Sequence, residues 1–477
     1  MNRNPSSLAV ARTLADPGPA EASSWSGTQA ILWAAGSVVA FHLAYLITAL
    51  SPLIVIFLYC VVQLSGLPTA RRAFYFGLGI GYAVYAPYLT FFWTIFGWPA
   101  LALWTVLAFW LGLFVALARL CRLKLGRLAI LLIPFAWTGL EYFRSELYYL
   151  RFSWLSAGYA FSDAPHLFAV TRLGVYGLGF CLMAVLTGIA IQMRRRSWLA
   201  MLAFAALLAA LVHVPFRSDR PATGRTVRAT GLQLEYPDEP DLLSGLTNLA
   251  AQDKTSKLVV LSEYTLQGPP SNELKEWCRQ NQRYLVVGGK DFVANSEFYN
   301  TVFVIDLNGE IVFRQAKSVP VQFFQDGIPA RTQQLWESPW GKIGFCICYD
   351  ASYQRVTDHL VRLGAQAIII PTADESRWGR TEHVLHARIA PVRAAEYQMP
   401  IFKVACTGIS QWVDRSGRPR ATAPFPGQGA TIAGDIEIGG PGRLPLDHWL
   451  GPLSVLVTLV MMLWHLLRRS LERFSRL

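Results

Sequence analysis

Long apolar stretches dominate the first half of the chain, and most of them approach the roughly 20 residues that a helix needs to cross a bilayer core about 30 Å thick. An apolar run at 449–467 follows a long segment of ordinary globular polarity, from about 217 to about 447. The pattern predicts eight transmembrane helices, with a globular domain inserted before the last one. The seven earlier candidate spans are 28–49, 51–67, 73–96, 98–120, 127–142, 165–192 and 197–215.

Within 217–447, short β-branched runs alternate with helical patterns. Near-continuous apolar strands of this kind are typical of a sheet covered on both faces, so we expect a layered α/β domain. Asn308–Gly309 lies between two such runs and predicts a hairpin, and 414–419 predicts a second turn. The seven runs are VRATGLQLE, KLVVLSEYT, YLVVGGKDF, TVFVIDLNG, KIGFCICYD, AQAIIIPTAD and IFKVACTG.

The basic residues gather at the ends of the apolar runs. With eight spans, all four basic clusters fall on one side of the membrane, and a Lys/Arg excess marks the cytoplasmic side. The globular segment, 217–447, then lies outside the cytoplasm, while the last span and its basic tail, 448–477, return to it. The clusters are Arg71–Arg72; Arg119, Arg122, Lys124 and Arg127; Arg194–Arg196; and the C-terminal arginines from Arg468 onward.

Composition agrees with this division. With 53% hydrophobic and 16% charged residues, the chain is too apolar to be soluble throughout. Its net charge of +12 is explained by membrane orientation, so we expect no nucleic-acid partner. The polar stretch 1–26 lacks the features of a secretory signal, and we expect a disordered cytoplasmic tail there. The seven Cys form no metal-ligand spacing, so we expect no metal and no cofactor.

Three side chains carry candidate chemistry: Glu263, Lys317 and Cys348. Each stands at or just after the end of a predicted strand, where open α/β sheets collect their ligands. Glu263 would act as general base, Cys348 as nucleophile and Lys317 as fixed positive charge for an oxyanion. Such a set suffices for acyl transfer through a covalent intermediate.

Plainer interpretations compete with each assignment. Cys346, two residues before Cys348, should share its face of the strand, but it lacks the motif and is expected to pack in the core. Lys290 ends another strand and rivals Lys317. His383 and His386 have no acidic or Cys residues at convincing sequence spacing, so we expect packing or capping roles rather than metal binding.

The outer loop between the fifth and sixth spans, about 143–164, is rich in aromatic residues, as membrane-interface segments are. An interface belt is the plain interpretation. The alternative is a lipid entrance lined by Tyr148, Tyr149 and Trp154.

The sequence CYD after an apolar strand, with the upstream Glu263 and a Lys317 that follows NGEIVF, resembles the nitrilase or carbon–nitrogen hydrolase superfamily. The whole chain is similar to the apolipoprotein N-acyltransferase family, as IPFAWTGLEYFRS, FSWLSAGYAFSDAP and EHVLHARIAPVRAAEYQMPIFKVACTGIS indicate. The resemblance implies an αββα sandwich before the last of eight spans. It also implies a bacterial inner-membrane enzyme whose catalytic domain faces the periplasm.

The resemblance further implies the roles of Glu263, Lys317 and Cys348 and a ping-pong reaction. A membrane phospholipid gives an acyl chain to the cysteine, and the N-terminal amino group of a diacylglyceryl-cysteine lipoprotein accepts it. We expect a monomer. The alternatives are a membrane-tethered amidase, in which water resolves the thioester, and a non-catalytic scaffold.

The chain departs from the family pattern around the nucleophile. Tyr349 and Asp350 match the two positions after it, with Asp where the family commonly carries Glu. The loop 318–329 lacks the family's Glu, which Gln322 or Asp326 would have to replace, and only Asp326 would keep the charge. The segment 373–379 is altered as well, so substrate preference is affected more than reaction type.

Overall fold

A computed structural model describes residues 25–474, except 166–169, 195–196, 213–223 and 294–296. Residues 1–24 of the predicted tail, and the predicted change of polarity near 217, therefore lie outside the described residues. So do Arg195, Arg196 and the last arginine of the basic clusters.

The first half of the chain is helical throughout. A 3₁₀ turn, Thr48–Leu53, precedes the second helix and contains Pro52. The helices are α1 (Gly27–Leu46), α2 (Ile54–Gln63), α3 (Ala70–Tyr85), α4 (Phe91–Phe96), α5 (Pro99–Leu125), α6 (Ala129–Tyr142), α7 (Val170–Arg194) and α8 (Trp198–Val212).

Five helical segments in the described part of the chain are long and apolar enough to cross a membrane. They are Gly27–Leu46, Thr48–Gly66, Pro99–Leu125, Val170–Met193 and Asp447–Arg468. The other three predicted spans contain the shorter helices α3, α6 and α8, of 16, 14 and 15 residues.

The third predicted span, 73–96, is not one helix. It divides into α3 and α4 around Pro87, because a proline disfavours helical geometry in the residue before it and supplies no N–H. The break makes α4 a separate short helix. The ring of its Phe96 lies 5.8 Å from the ring of Phe324 in the globular domain.

Glycines allow the close packing of α3 on α5. A Cβ at Gly77 would lie 2.8 Å from the Cα of Gly112, and one at Gly81 would lie 2.5 Å from the Cα of Ala108. Small residues at such crossings let helix backbones approach, as is common in membrane helix pairs.

The globular domain consists of two six-stranded sheets with helices outside them. The first sheet has the order β12-β1-β2-β3-β4-β5 and the second β11-β10-β9-β8-β7-β6. The helices are α9 (Glu239–Gln252), α10 (Asn272–Asn281), α11 (Gln354–Arg362), α12 (Arg380–Ala387) and α13 (Ile389–Tyr397); α14 (Asp447–Phe474) then returns to the membrane part. The predicted combination of membrane-spanning helices with a layered α/β domain is confirmed.

The strands of the first sheet are β1 (Arg225–Leu232), β2 (Leu258–Val260), β3 (Tyr284–Phe292), β4 (Phe298–Ile305), β5 (Ile311–Ala316) and β12 (Thr431–Ile438). Those of the second are β6 (Trp336–Ser338), β7 (Gly341–Phe345), β8 (Ala367–Thr372), β9 (Ile401–Ala405), β10 (Gln411–Val413) and β11 (Pro419–Thr422). All seven predicted runs contain a strand.

Each sheet has a parallel centre and antiparallel edges. β1, β2 and β3 run parallel, as do β7, β8 and β9. The predicted hairpin at 308–309 joins β4 to β5, and Gly309 has a φ of +75°, which suits glycine. The predicted turn at 414–419 joins β10 to β11. β2 and β7 belong to these parallel centres, and the candidate residues Glu263 and Cys348 come just after the ends of these two strands.

Candidate active site

Glu263, Lys317 and Cys348 converge although 54 residues separate the first two. Glu263 follows β2, Lys317 follows β5 and Cys348 follows β7. All three side chains line one cavity of about 750 Å³, together with Asp326. The strand-end positions identified from the sequence are therefore brought together in space.

Lys317 bridges two carboxylates. Its Nζ lies 2.8 Å from Oε1 of Glu263 and 2.7 Å from Oδ2 of Asp326, and all three side chains are buried. Burial lowers the pKa of Lys317, but the two anions outweigh this and hold it well above its ordinary value. The ammonium is therefore charged, which a fixed electrostatic role requires.

Further hydrogen bonds fix the orientation of the two carboxylates. Asn300 Nδ2 donates to Glu263 Oε1 at 2.6 Å and to Asp326 Oδ1 at 2.8 Å. The backbone N–H of Ala373 donates to Glu263 Oε2 at 2.9 Å, and the hydroxyl of Tyr264 donates to Asp326 Oδ1 at 2.7 Å. The two anions are thus held in one network around Lys317.

The same network separates the pKa values of the two acids. Burial, and the nearby negative charge of Asp326, raise the pKa of Glu263, although Lys317 opposes the shift. Burial also acts to raise the pKa of Asp326, but Lys317 and the hydrogen bonds outweigh it and lower the value. Glu263 is the better base of the two.

Cys348 has left strand geometry. Strand β7 ends at Phe345, and Cys348 begins a 3₁₀ turn, Cys348–Ser352, with a φ of +49°. Because the strand has ended, the expected sharing of a face by Cys346 and Cys348 does not apply. Of the two, only Cys348 lines the cavity, while Cys346 is buried in the core.

The Cys348 thiol is protonated at rest. Burial, followed by the charge of Glu263, raises its pKa well above the ordinary value, and Lys317 acts in the opposite direction. Since the thiolate is the nucleophilic form, a base must remove the proton as the reaction begins. Glu263 lines the same cavity and is available for this step.

Asp350 fastens the nucleophile turn to the segment after Lys317. Its carboxylate accepts hydrogen bonds from the backbone N–H groups of Ser318 and Ile347, each at 3.1 Å, and from that of Val319 at 2.7 Å. Burial raises the pKa of Asp350 to about 6. Its contacts are structural, since they join two backbone segments that carry candidate residues.

A second cavity, of about 840 Å³, meets the first at Cys348, and its wall is mainly apolar but includes Arg151, Gln322, Asp374, Glu382 and His386. Val321, Phe324 and Trp378 line both cavities. Membrane-half side chains line the second one as well: Phe91, Phe92, Ile95, Phe96, Leu103, Val106 and Leu107. Cys348 is thus reached from a charged chamber on one side and from a hydrocarbon-lined chamber on the other.

The aromatic residues of the outer loop are placed differently from one another. Trp154 lines the apolar cavity, as do the adjoining Leu150, Arg151 and Phe152. Tyr148 instead packs on Trp110, and Tyr149 is exposed. Among the three residues singled out in the sequence, only Trp154 faces the cavity.

The residue that rivalled Lys317 and the residues expected to support the site differ in their contacts. Lys290 lines the charged cavity but donates to Gln267 at 2.9 Å, so it does not pair with Glu263 as Lys317 does. Gln322 donates to the carbonyl of Tyr149 at 3.1 Å, whereas Asp326 joins the Lys317 network. The hydroxyl of Tyr349 donates to the carbonyl of Arg151 at 3.0 Å.

His383 and His386 lie among acidic side chains, which sequence spacing did not indicate. Donor atoms of Cys348, Asp374 and His386 lie within 4.8 Å of one another, as do those of Asp374, Glu382 and His383. These are the groups of possible metal donors in the described part of the chain. However, the Lys403 ammonium, 3.4 Å from Asp374 Oδ2, already supplies the positive charge.

The sequence analysis missed Asn300 and Asp374, and it gave His386 a packing or capping role. Asn300 lies inside β4, and nothing in that strand's pattern distinguishes it except that it is a polar residue in a largely apolar run. Asp374 and His386 belong to a strand end and a helix, α12, that meet only in the folded chain. The end of an apolar strand, AIIIPTAD, was the one available signal for Asp374.

Comparison with known proteins divides the chain in the same way. Residues 34–190 match the apolipoprotein N-acyltransferase N-terminal domain. Residues 241–437 match the carbon-nitrogen hydrolase family. The first range contains most of α1, all of α2 to α6 and most of α7, together with Tyr148, Tyr149 and Trp154. The second contains Glu263, Lys317 and Cys348.

Curated relatives extend over both parts. An apolipoprotein N-acyltransferase of Geobacter metallireducens is 24% identical, covering 86% of this chain and 89% of the relative. One of Shewanella oneidensis is 23% identical, covering 68% and 73%. Among solved structures, a carbon-nitrogen hydrolase from Helicobacter pylori is 16% identical, with a TM-score of 0.40, covering 51% of this chain and 94% of that one.

Proposed function

From the premise that this chain is related along most of its length to the apolipoprotein N-acyltransferases, we propose that it N-acylates lipoproteins. A membrane phospholipid is the acyl donor, and the acceptor is the α-amino group of a diacylglyceryl-cysteine at a lipoprotein N-terminus. The acyl chain passes through a thioester on Cys348.

One observation carries the proposal: Cys348 lies where a charged cavity meets an apolar one. An acyl chain requires a hydrocarbon-lined chamber, and α4 and α5 of the membrane half supply a large part of its apolar wall. The reacting carbonyl requires a base and a positive charge, which Glu263 and Lys317 supply from the other chamber. A soluble amide substrate would not need the apolar chamber.

In the first half-reaction, Glu263 takes the thiol proton and the Cys348 sulfur attacks the ester carbonyl of the phospholipid. Lys317 stabilises the oxyanion that develops. The carbon–oxygen bond of the ester then breaks, and the proton held by Glu263 passes to the departing alkoxide. The products are a lysophospholipid and the acylated Cys348.

In the second half-reaction, the acceptor amine attacks the thioester carbonyl. A new carbon–nitrogen bond forms, the carbon–sulfur bond breaks, and the sulfur regains a proton. Binding both lipid substrates at the membrane surface supplies the high effective concentration that this aminolysis needs. The product is an amide on the lipoprotein.

Placement in the cell follows from the same proposal. The helices belong in the inner membrane of a bacterium, and the globular domain, 217–447, faces the periplasm. Lipoprotein acceptors are then reached on the face of the membrane where their N-termini lie. We propose that the chain acts as a monomer, since one copy contains both cavities and all the candidate residues.

The test is to incubate the purified full chain with phospholipid and to search by mass spectrometry for an acyl adduct on the peptide that carries Cys348. The adduct is expected in the parent chain and in Cys346→Ser, and is expected to be absent in Cys348→Ser. An adduct unchanged by Cys348→Ser overturns the assignment of the nucleophile.

Adding a diacylated lipopeptide to the acylated chain separates the proposed transferase from the alternatives. A triacylated peptide is the expected product. Free fatty acid with no triacylated peptide would instead indicate a membrane-tethered amidase, and failure to form any adduct would indicate a scaffold.

A further inference from the structure

A second proton-accepting pair, His386 and Asp374, lies beside Cys348 and has no role in the steps above. A ring nitrogen of His386 and a carboxylate oxygen of Asp374 lie within 4.8 Å of the Cys348 sulfur. Both residues line the apolar cavity, whereas Glu263 and Lys317 line the charged one. The nucleophile is therefore in reach of two separate acid–base groups.

The imidazole of His386 is firmly held. Its Nδ1 lies 2.6 Å from Asp374 Oδ1, and its ring stacks on Trp154 with 4.8 Å between centroids and 10° between planes. Asp374 in turn lies 3.4 Å from the Lys403 ammonium. A histidine oriented by a buried carboxylate on one nitrogen presents the other nitrogen in a fixed direction.

The charges around the pair determine which nitrogen is basic. Burial acts to raise the pKa of Asp374, but His386 and Lys403 outweigh it and hold the pKa well below its ordinary value, so the carboxylate is ionised. An ionised carboxylate only accepts hydrogen bonds, so Nδ1 of His386 carries the proton and donates it. Nε2 then holds the free lone pair whenever the ring is neutral.

Burial lowers the pKa of His386, which keeps the ring neutral at rest, although Asp374 opposes the shift. The other charged groups facing it are Lys403 and Lys317, which act in the same direction as burial. Glu382 Oε1 lies 3.8 Å from Nδ1. The neutral ring is therefore ready to accept a proton.

The proton balance of aminolysis calls for such a group. An α-amino group has an ordinary pKa near 8, so the acceptor arrives mostly as an ammonium with three protons on nitrogen. The amide product keeps one. One of the two lost protons returns to the Cys348 sulfur, and the other must leave through a second base. Hydrolysis by water has no such surplus before attack.

Resting on the proposed function, we propose that His386, oriented by Asp374, is the second base and takes from the acceptor ammonium the proton that it must lose before attack. The N–H bond of the ammonium breaks, an N–H bond forms at Nε2, and Asp374 stabilises the imidazolium. The proton then passes to solvent. Glu263 serves the thiol, and His386 serves the amine.

The experiment separates the half-reactions of the full chain in detergent. Acylation is followed as the adduct on Cys348, and aminolysis as the decay of preformed adduct when a diacylated lipopeptide is added. In His386→Ala, aminolysis is expected to slow by about 10²-fold more than adduct formation does, as is typical for loss of a general base, and the ratio of the two rates is the readout. Adduct formation by the variant also shows that it is folded.

Two further measurements distinguish a base from a structural residue. Free imidazole is expected to restore part of the aminolysis rate in His386→Ala, since it can occupy the vacated space. The defect is also expected to shrink about one to two pH units above the amine pKa, where solvent has already removed the proton. The control is His359→Ala, which removes an exposed imidazole of α11, so imidazole should not affect its aminolysis rate.

The proposal is overturned if His386→Ala aminolyses the adduct at the parent rate. It is also overturned if both half-reactions slow equally and imidazole restores neither, because that result indicates a packing role. These failures differ from failure of the proposed function, in which the parent chain itself forms no acyl adduct or yields no triacylated peptide.

Discussion

At the scale of single residues, the charges of Lys317, Glu263 and Asp326 depend on one another. Two buried carboxylates share one ammonium, so each acid modifies the pKa of the other. The loop 318–329 lacks the Glu that the family resemblance led us to expect. Asp326, which belongs to this loop, lies beside Lys317 instead. This arrangement leads to two predictions that concern charge rather than shape.

Asp326→Asn is expected to move the acid limb of Cys348 acylation to lower pH, by roughly one unit. Glu263 must be ionised to act as base, and the charge of Asp326 raises its pKa. Removing that charge lowers the Glu263 pKa, so the active carboxylate persists at lower pH. The pH profile of adduct formation measures the shift. Asp291→Asn, which removes a carboxylate paired with Arg314 at the surface, should leave the limb in place.

Lys317→Met is expected to cost about 3–5 kcal/mol of stability at neutral pH, because it leaves two buried carboxylates without their counter-charge. The loss should diminish as the pH falls. Without the ammonium, the pKa values of the two carboxylates are higher in the folded state than in the unfolded state. The destabilisation is therefore full at a pH above the folded-state pKa values and disappears as the pH falls and the carboxylates are protonated.

Thermal unfolding of Lys317→Met in detergent across a pH series checks this dependence. Lys290→Met is the control, since Lys290 lines the same cavity but contacts Gln267 and the rings of Tyr264 and Phe298 rather than a carboxylate, and its loss should change stability by about 0.5 kcal/mol or less. A stability loss that grows as the pH falls would contradict the charge argument.

Sequence reasoning reached Glu263, Lys317 and Cys348 because each ends an apolar strand, and strand ends are visible in a linear pattern. The pairing of Asp374 with His386 was not recognised, and His386 was given a packing or capping role, because 12 residues and a change of element separate the two. Cys346 illustrates the opposite limit. Alternation predicted that it would share a face with Cys348, but the strand ends at Phe345 and the turn begins with a positive φ.

At the scale of elements, the loop 318–329 joins the two halves of the molecule. Phe323 and Phe324 meet Phe96 of α4, with ring centroids 5.9 and 5.8 Å apart. Phe324 also lines both cavities and lies 6.1 Å from Trp378. Since Phe323 is 67% exposed, it is available to a lipid at the cavity mouth.

Replacing Phe323 and Phe324 together by Ser is expected to slow acylation of Cys348 by phospholipid about ten-fold, because apolar surface for the incoming chain is lost. Reaction of the thiol with a small water-soluble alkylating agent should not slow. Rates of both reactions, measured on the same preparation, give the comparison. Phe292→Ser removes an exposed Phe of β3 and should affect neither.

Equal slowing of both reactions would instead show that the loop supports Cys348 itself.

The elements were only partly predictable from the sequence. The apolar runs predicted seven strands, but β6, β10 and β11 were missed because they have only three or four residues. β12 was missed because its alternating, half-exposed pattern is weaker than a buried run. The break between α3 and α4 was missed because the hydropathy of 73–96 is continuous across Pro87.

At the scale of the whole molecule, buried polar groups fasten the nucleophile turn to the membrane half. Arg393 of α13 donates to the carbonyls of Ala351 and Ser352, each at 2.9 Å, and pairs with Glu396 at 2.6 Å. Glu396 accepts from the backbone N–H of Val175 in α7 at 2.6 Å. The turn that carries Cys348 therefore depends on contacts beyond its own domain.

The opposite end of the helices carries the basic clusters. Arg119 donates to the carbonyl of Pro68, and Arg122 donates to Ser65 Oγ at 2.8 Å, so the second cluster lies against the segment before Arg71. Two clusters that the positive-inside rule placed on one side are thus adjacent in space. The C-terminal end of α5 and the start of α3 are therefore basic together, while α4, which precedes α5, contacts the globular domain through Phe96.

This polarity predicts that the catalytic domain is exposed outside the cytoplasm. The native Cys are buried except for the half-buried Cys181, so a single surface Cys can report accessibility in a Cys348→Ser background. In intact cells whose outer membrane has been permeabilised, a membrane-impermeant maleimide should label Gln280→Cys, on the exposed surface of α10, but not Arg71→Cys. Both should react once the inner membrane is opened, which controls for reactivity. Labelling of Arg71→Cys alone in intact cells would invert the orientation and would place the thioester chemistry on the side where lipoprotein precursors are made, before they cross the membrane.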